Sequence, residues 1–367
     1  MAESPFIPLI EVWRGAIIES IHSGCVAVVD ADGQLLASAG DPEHVTFLRS
    51  SSKPMQAIPL IEAGGAELFD LNDAEIAIIC SSHNGSAEHV RLITALQARL
   101  GLREDQMLCG THMPGDPQEA LRLTLAGESP NQRHHNCSGK HTGMLAYAKM
   151  RGLPLENYVN PQHPIQQTIL QVMADMCGVQ TTGVIVGIDG CSVPVFGMSM
   201  RQAAYGYARL ADPRALSPQR SAACRKITKA MIAQPEMVAG TARFDTRLMQ
   251  AASGKLVCKS GAEGYFAVGV LPDALAPGSP GIGITMKIAD GALGRRGGKP
   301  SHAPPDDGDL DHRGLPLAAL AVLRQMGILS AAELNSLAAF DQRRLHNWRH
   351  LVVGEVRANF TLQKYHP

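Results

Sequence analysis

The chain has 367 residues, of which 45% are hydrophobic and 18% charged, and its formal net charge is −1. This composition predicts a globular protein with a large core, and the near-neutral charge argues against a nucleic-acid or anionic-membrane partner. No apolar run reaches the length of a membrane span, and the N-terminus lacks the basic-then-apolar pattern of a secretory signal, so we expect a cytoplasmic protein.

The N-terminal part reads as strands, with two apolar runs around Asp32-Gly33 that predict a β-hairpin. A short helix is then predicted to begin near Ser51 or Ser52, with Pro54 in its first turn, and to end at Gly64-Gly65. The following run "EIAIIC" fits either a strand or a buried helix.

The middle of the chain carries helical spacing in several stretches, which are "SAEHVRLITALQARLG", "KHTGMLAYAKMRG", "HPIQQTILQVMADMCG" and "SAACRKITKAMIAQPEMVAG". The runs "LVCKSGAEGYFAVGVLP" and "GIGITMKIADG" predict core strands, and "LPLAALAVLRQMGIL" predicts a late helix. Strands, then helices, then strands again indicate one mixed α/β or α+β unit over 1–367, and the Gly-, Pro- and charge-rich segment 291–314 is predicted to be a mobile surface loop.

The stretch "RSSSK" is the first candidate for chemistry. Ser50 and Lys53 are three residues apart and share a face of a helix, and a neutral lysine can accept the proton of a serine. Arg49 is a nearby positive charge that can lower the pKa of that lysine. The alternative is structural, because serines before a proline also cap helices.

Other polar clusters lie at the turns "CSSHNGS", "HHNCSGKHTG", "GIDGCSVP" and "CKSGAEG". Cysteine and histidine are zinc ligands, but the spacing around Cys137 fits no zinc-finger pattern, so a capped loop remains an alternative there. The eight cysteines of the chain include no CxxC pair, which favours free thiols over a disulfide framework.

These stretches together resemble class 3, Rhizobium etli-type L-asparaginases of the asparaginase II family, which are related in fold to serine β-lactamases and penicillin-binding proteins. The matching pieces are "RSSSKPMQA", "CSSHNG", "NCSGKHTGML", "GIDGCSVP", "PEMVAG", "CKSGAEGYFAVG" and "GITMKIADG", in the order of the family from about Arg49 to Gly291. The resemblance implies a mixed α+β fold with a mostly antiparallel central sheet flanked by helices.

The resemblance also implies roles for individual residues. These are two catalytic Ser-Lys pairs, Ser50 with Lys53 and Ser82 with Lys259; substrate-binding or supporting groups at Arg49, His83, His141 and Asp189; and a Zn²⁺ site of Cys137, Lys140 and Cys191. A lysine binds a metal only when it is deprotonated, so we expect a strongly lowered pKa for Lys140.

The implied activity is hydrolysis of L-asparagine to L-aspartate and ammonia through an acyl-enzyme, by a homodimer. Glutamine or penicillin-type amides are alternative substrates for a Ser-Lys hydrolase. A zinc-binding sensor or structural protein, whose serines only cap helices, is a non-enzymatic alternative. The segment 291–314 does not align with the family.

Overall fold

The computed structural model describes residues 4–291, 314–341 and 343–365. Nearly all of the predicted surface loop, 292–313, lies outside the described residues. The described strands are β1 (Ile7–Arg14), β2 (Ile17–Asp30), β3 (Leu35–Ala39), β4 (Val45–Phe47), β5 (Ile185–Ile188), β6 (Pro194–Ser199), β7 (Leu256–Gly261), β8 (Tyr265–Val270), β9 (Ile282–Ile288), β10 (Arg343–His346), β11 (Val352–Ala358) and β12 (Gln363–Lys364).

The helices lie mostly between β4 and β7 in the chain. They are α1 (Lys53–Glu62), α2 (Gly65–Leu68), α3 (Asp73–Ile79), α4 (Ala87–Leu100), α5 (Pro117–Ala126), α6 (Ser138–Met150), α7 (Pro164–Cys177), α8 (Met200–Ala211), α9 (Pro218–Ala233), α10 (Pro235–Val238), α11 (Phe244–Ala251), α12 (Leu315–Gln325), α13 (Ala331–Ser336) and α14 (Ala338–Asp341). None of the described helices is both long and apolar enough to cross a bilayer.

Within the described residues, nine strands form one sheet in which every pairing is antiparallel. Its path is β10-β11-β1-β2-β9-β8-β7, and β3 pairs with both β2 and β12. The long strand β2 meets β1 along its first half and β3 along its second half. The predicted mixed fold with a mostly antiparallel sheet is therefore confirmed, as is the hairpin at Asp32-Gly33.

Strands β7, β8 and β9 are buried at every position. A strand without alternating exposure has both of its faces covered. Helix α8 packs on β2, β8 and β9, while α12 packs on β1, β8 and β11. The sheet therefore holds the end of β7 rigidly inside the protein, next to the turn that precedes α1.

The structure decides one open alternative and corrects one predicted helix. The run "EIAIIC" folds as helix α3, which begins with a capping box between Asn72 and Glu75. The stretch predicted as one helix after Ser221 is interrupted at Pro235, where α9 gives way to α10. A proline has no N–H for a helix interior, but it fits a first turn.

Candidate active site

The serine run forms a single tight turn, Arg49–Ser52, that leads into α1. The hydroxyl of Ser51 donates to the carbonyl of Leu48 at 2.8 Å, and that of Ser52 donates to the carbonyl of Arg49 at 2.7 Å. Neither hydroxyl caps α1. Ser50 is partly exposed, and its hydroxyl has no hydrogen bond within the described chain. The capping alternative therefore explains none of the three serines.

Lys53 is fully buried at the start of α1, and its ammonium group has three acceptors. Nζ lies 2.5 Å from the carbonyl of Ser81, 2.8 Å from Ser82 Oγ and 3.2 Å from the carbonyl of Asn136. A protonated amine donates to all three. A neutral amine keeps the two carbonyl contacts and turns its lone pair toward the Ser82 hydroxyl, which then donates. The site can thus hold a proton on either Lys53 or Ser82 without moving a side chain.

Ser82 follows the C-terminus of α3, and its backbone N–H donates to the carbonyl of Val238 at 2.9 Å. The expected pairing of Ser82 with Lys259 is not what the structure shows. Lys53, at 2.8 Å, is the lysine that contacts Ser82. The pairing depends on how close the end of α3 lies to the start of α1. The residue spacing within each sequence motif gives no information about that distance.

Lys259 is fully buried on β7, where Nζ donates to the carbonyl of Ser260 at 2.9 Å and lies 3.9 Å from Asp245 Oδ1. Burial, together with the charges of Lys53 and Arg243, lowers the pKa of Lys259 to about 8 against the opposing effect of the Asp245 carboxylate. Asp245 also accepts the backbone N–H of Ser260 at 2.6 Å.

Sequence reasoning missed Asp245, although a signal was present. Asp245 precedes Leu248 and Met249 by three and four residues, so it lies on the buried face of an amphipathic helix. A carboxylate on such a face requires a cation or hydrogen-bond donors. The nearby lysine of β7 supplies that charge.

Lys140 lies beside the two loop cysteines, Cys137 and Cys191. Nζ of Lys140 donates to Cys191 Sγ at 3.0 Å, and Cys137 Sγ lies 3.2 Å from Asn136 Oδ1. The neighbouring Cys191 side chain and the charges of Lys53 and Lys140 hold the pKa of Cys137 well below its ordinary value. The surroundings of Cys137 therefore favour negative charge on its sulfur.

The expected low pKa of Lys140 is wrong for the metal-free protein. Burial lowers this pKa, but the charges of Cys191, Cys137 and Asp189 outweigh burial and raise it above its ordinary value. Lys140 therefore stays an ammonium ion beside the sulfur atoms of Cys191 and Cys137. A metal ion at this position would have to displace that proton.

Asp189 and Arg49 form an ion pair of 2.8 Å beside this cluster. Burial raises the pKa of Asp189, but Lys140 and Arg49 together lower it below its ordinary value. Asp189 also accepts the backbone N–H of Gly190 at 2.8 Å. The two predicted substrate-binding groups thus neutralise each other in the free protein.

The two predicted histidines are supporting groups. His83 is 1% exposed, and both its ring nitrogens are engaged, with Ser138 Oγ at 2.9 Å and the N–H of Gly85 at 3.0 Å. It therefore orients the start of α6 and has no nitrogen left for a substrate.

His141 lies deeper, with Nδ1 2.6 Å from the Tyr158 hydroxyl, which itself accepts the N–H of Leu108 at 2.9 Å. When Tyr158 donates its own proton to Nδ1, Nε2 carries the remaining proton. Nε2 has no hydrogen-bond partner in the described chain, and Cys191 is a neighbour of this ring. Nε2–H is therefore a donor still available next to the Cys191 sulfur.

Comparisons with known proteins agree with the motifs. The sequence profile described as L-asparaginase II matches residues 10–297, whereas no curated protein matches the chain. A solved structure titled Mglu in its tris and glutamate form is 14% identical, with 84% of this chain and 60% of that chain covered and a TM-score of 0.42. Mglu in its native form is 14% identical, with 73% and 59% covered and a TM-score of 0.39.

A third solved structure is the Bacillus subtilis glutaminase YbgJ in covalent complex with 5-oxo-L-norleucine. It is 15% identical, with 72% of this chain and 79% of that chain covered and a TM-score of 0.34. This chain thus spans about three fifths of the native Mglu chain, and most of YbgJ. The profile match extends from β1 to beyond β9 and includes every residue of the candidate site. The chain belongs to the L-asparaginase II family.

Proposed function

We propose that this protein is an amidohydrolase that converts L-asparagine to L-aspartate and ammonia through a seryl ester. The observation that carries the proposal is the buried Lys53 amine, which has Ser82 Oγ at 2.8 Å and lies one turn after the free hydroxyl of Ser50. A serine and a lysine in this relation form a nucleophile and its base. Membership of the family supports the amide substrate.

Ser50 is the proposed nucleophile. Ser50 is partly exposed and its hydroxyl is unbonded within the described chain, whereas Ser82 is 9% exposed and its hydroxyl is bonded to Lys53. Ser50 Oγ attacks the side-chain amide carbon, and its proton passes to the Lys53–Ser82 pair. The tetrahedral adduct collapses when this pair returns the proton to the leaving nitrogen, which departs as ammonia. Water then attacks the ester by the same route and releases L-aspartate.

The first experiment is a comparison of ammonia release from L-asparagine and L-glutamine by wild type, Ser50→Ala and Ser82→Ala. We expect turnover of asparagine that falls by at least about a thousandfold in Ser50→Ala. Ser51→Ala is the matched control, because the Ser51 hydroxyl only binds the Leu48 carbonyl. The diazoketone analogue of asparagine, 5-diazo-4-oxo-L-norvaline, should label Ser50 in a peptide map.

The outcomes separate the alternatives. Label on Ser82 would transfer the role of nucleophile to that residue. Faster turnover of glutamine than of asparagine would change the substrate to the longer amide. No turnover of either amide by folded, zinc-loaded protein would refute the proposed activity.

We also propose that Lys259, in its neutral form, accepts protons within the site, and this role gives the reaction a pH dependence. With a pKa of about 8, Lys259 becomes neutral as the pH rises through that value, so we expect kcat/KM for asparagine to rise there. The Asp245 carboxylate favours the charged form. Asp245→Asn should therefore move this rise to lower pH, by roughly one unit. Profiles from about pH 5.5 to about 9.5, with the exposed Asp273→Asn as control, would measure the shift, and an unchanged midpoint would contradict the role of Asp245.

Zn²⁺ fits the cluster of Cys137, Lys140 and Cys191. The described chain contains no group of three or more His, Cys, Asp or Glu side chains close enough to hold a metal, and the proposed site takes the lysine amine as its third ligand. The lowered pKa of Cys137 makes this thiol a ready metal ligand, and the unpartnered Nε2 of His141 can donate to a coordinated sulfur. A bound Zn²⁺ would supply a Lewis acid and join the loops that carry the two thiols.

Metal analysis of the purified protein tests this site. We expect about one zinc per chain in wild type and a loss of most of it in Cys191→Ser. Cys109→Ser is the control, because burial raises the pKa of that neighbouring thiol to about 12 and keeps it protonated. Two results together would contradict the site. The wild type would contain no metal after growth with added zinc, and added zinc would not raise its melting temperature. The homodimer and the cytoplasmic location stay predictions from the sequence.

A further inference from the structure

The guanidinium of Arg243 is a positive charge without a partner near the catalytic lysines. Arg243 is partly buried at the N-terminus of α11, directly before the buried face that carries Asp245. Its side chain makes no hydrogen bond or ion pair in the described chain, although its charge acts on both Asp245 and Lys259. An unpaired and partly desolvated guanidinium has five N–H donors available for a ligand.

The backbone connects Arg243 to the reacting serines. The carbonyl of Val238 accepts the N–H of Ser82 at 2.9 Å, and five residues later the N–H of Arg243 donates to the carbonyl of Gly240 at 3.1 Å. Arg243 also lines a small, open pocket together with Asp245 and Ser260. Both of these neighbours contact Lys259 directly. The unpaired guanidinium, the pocket and Lys259 are thus contiguous.

The other cations of the site are already engaged. Arg49 is paired with Asp189 at 2.8 Å, and Lys140 donates to Cys191 at 3.0 Å. Lys53 is enclosed by its three acceptors and is needed for proton transfer. An amino-acid amide brings a carboxylate that must leave water, and it requires a cation inside the site. Among these groups, Arg243 is the cation whose side chain has neither an ion pair nor a hydrogen bond within the described chain.

We propose that Arg243 binds the α-carboxylate of the substrate through its guanidinium and thereby selects amino-acid amides over simple amides. This inference rests on the proposed amidohydrolase function and identifies the part of the substrate that the enzyme recognises. A bidentate pair of guanidinium and carboxylate is directional, so it also fixes the distance from the α-carbon to the amide that is attacked. A carboxylate on Arg243 orients the substrate and takes no part in the bond changes.

The test pairs a variant with a truncated substrate. L-Asparagine and 3-aminopropanamide differ only by the α-carboxylate, and so do the corresponding acids, L-aspartate and β-alanine. In Arg243→Gln we expect kcat/KM for asparagine to fall by about 100-fold, mainly through KM, and kcat/KM for 3-aminopropanamide to change by less than about threefold. The inhibition constants of L-aspartate and β-alanine measure the contribution of the α-carboxylate to binding alone, without the chemical step. Arg243→Lys should recover part of the loss, because lysine keeps the positive charge but lacks the two parallel N–H donors of the guanidinium.

Arg247→Gln is the matched control. Arg247 lies one turn further along α11, is exposed, and contacts only Gln250 among the described residues, at 3.5 Å. Thermal unfolding of the variants checks that the fold is intact. An equal loss on both substrates, with equal changes in both inhibition constants, would overturn the assignment to Arg243. Absence of asparagine turnover in wild type would instead refute the proposed function, so the two failures are distinguishable.

Discussion

Replacing Lys53 with methionine is expected to reduce ammonia release from L-asparagine by at least about a thousandfold. Methionine keeps the length and the apolar stem of the side chain but has no amine to receive the serine proton. The carbonyls of Ser81 and Asn136 and the Ser82 hydroxyl would also lose their donor. We expect that loss to reduce the free energy of unfolding by about 1–3 kcal/mol.

A second buried lysine separates the chemical effect from the structural one. Lys287 is 9% exposed, and its Nζ donates to the backbone carbonyls of Glu263 and Ile288. Lys287→Met should therefore lower stability by a similar amount and leave the rate per folded molecule within about tenfold of wild type. Ammonia release normalised to the folded fraction, from circular dichroism, gives the comparison. Equal rates for the two folded variants would show that Lys53 is not the base.

The short-range features of the site were predictable because they depend on neighbouring residues. A serine and a lysine three apart, followed by proline, fix a turn that runs into a helix. The capping box "NDAE" at Asn72–Glu75 was a readable sign that "EIAIIC" begins as a helix. That local signal outweighs the apolar composition, which by itself fits a strand equally well.

The partners of the lysines were not predictable, since they come from distant parts of the chain. Lys53 finds Ser82 because α1 and α3 pack together, and Lys259 finds Asp245 because α11 packs on β7. The pKa of Lys140 was misjudged for the same reason. The direction of this pKa shift depends on two thiols and a carboxylate that surround Lys140 in the folded protein. It does not depend on the residues beside Lys140 in the sequence.

The contact between α3 and α6 explains how the serine side and the thiol side of the site are kept together. Gly139, in the first turn of α6, lies against the backbone of α3, where an added Cβ would be 1.9 Å from the Ile78 carbonyl oxygen. Helix α3 leads to Ser82, while α6 begins between Cys137 and Lys140. Only glycine lets these two helix ends approach so closely.

Gly139→Ala is therefore expected to lower the free energy of unfolding by about 3 kcal/mol or more and to reduce asparagine turnover in the molecules that remain folded. Alanine is favoured over glycine in a helix by about 1 kcal/mol, so helix propensity alone would make Gly139→Ala more stable. A loss of stability would therefore show that the contact with α3 dominates. The obstacle is a backbone carbonyl, which cannot rotate away. The helices must separate, and Lys53 then loses its contacts with either Ser82 or Asn136.

Gly143→Ala, one turn later on the same face of α6, is the control. Its added Cβ would lie 2.6 Å from Ile79 Cγ2, a side-chain methyl group that gives way more easily than a backbone carbonyl held by helix hydrogen bonds. We expect a loss of no more than about 1–2 kcal/mol, with the rate per folded molecule preserved. Chemical denaturation and single-turnover kinetics on both variants would measure the difference. Equal stabilities would mean that α3 and α6 can part without cost, and the geometry around Lys53 would then have to be maintained by α1 alone.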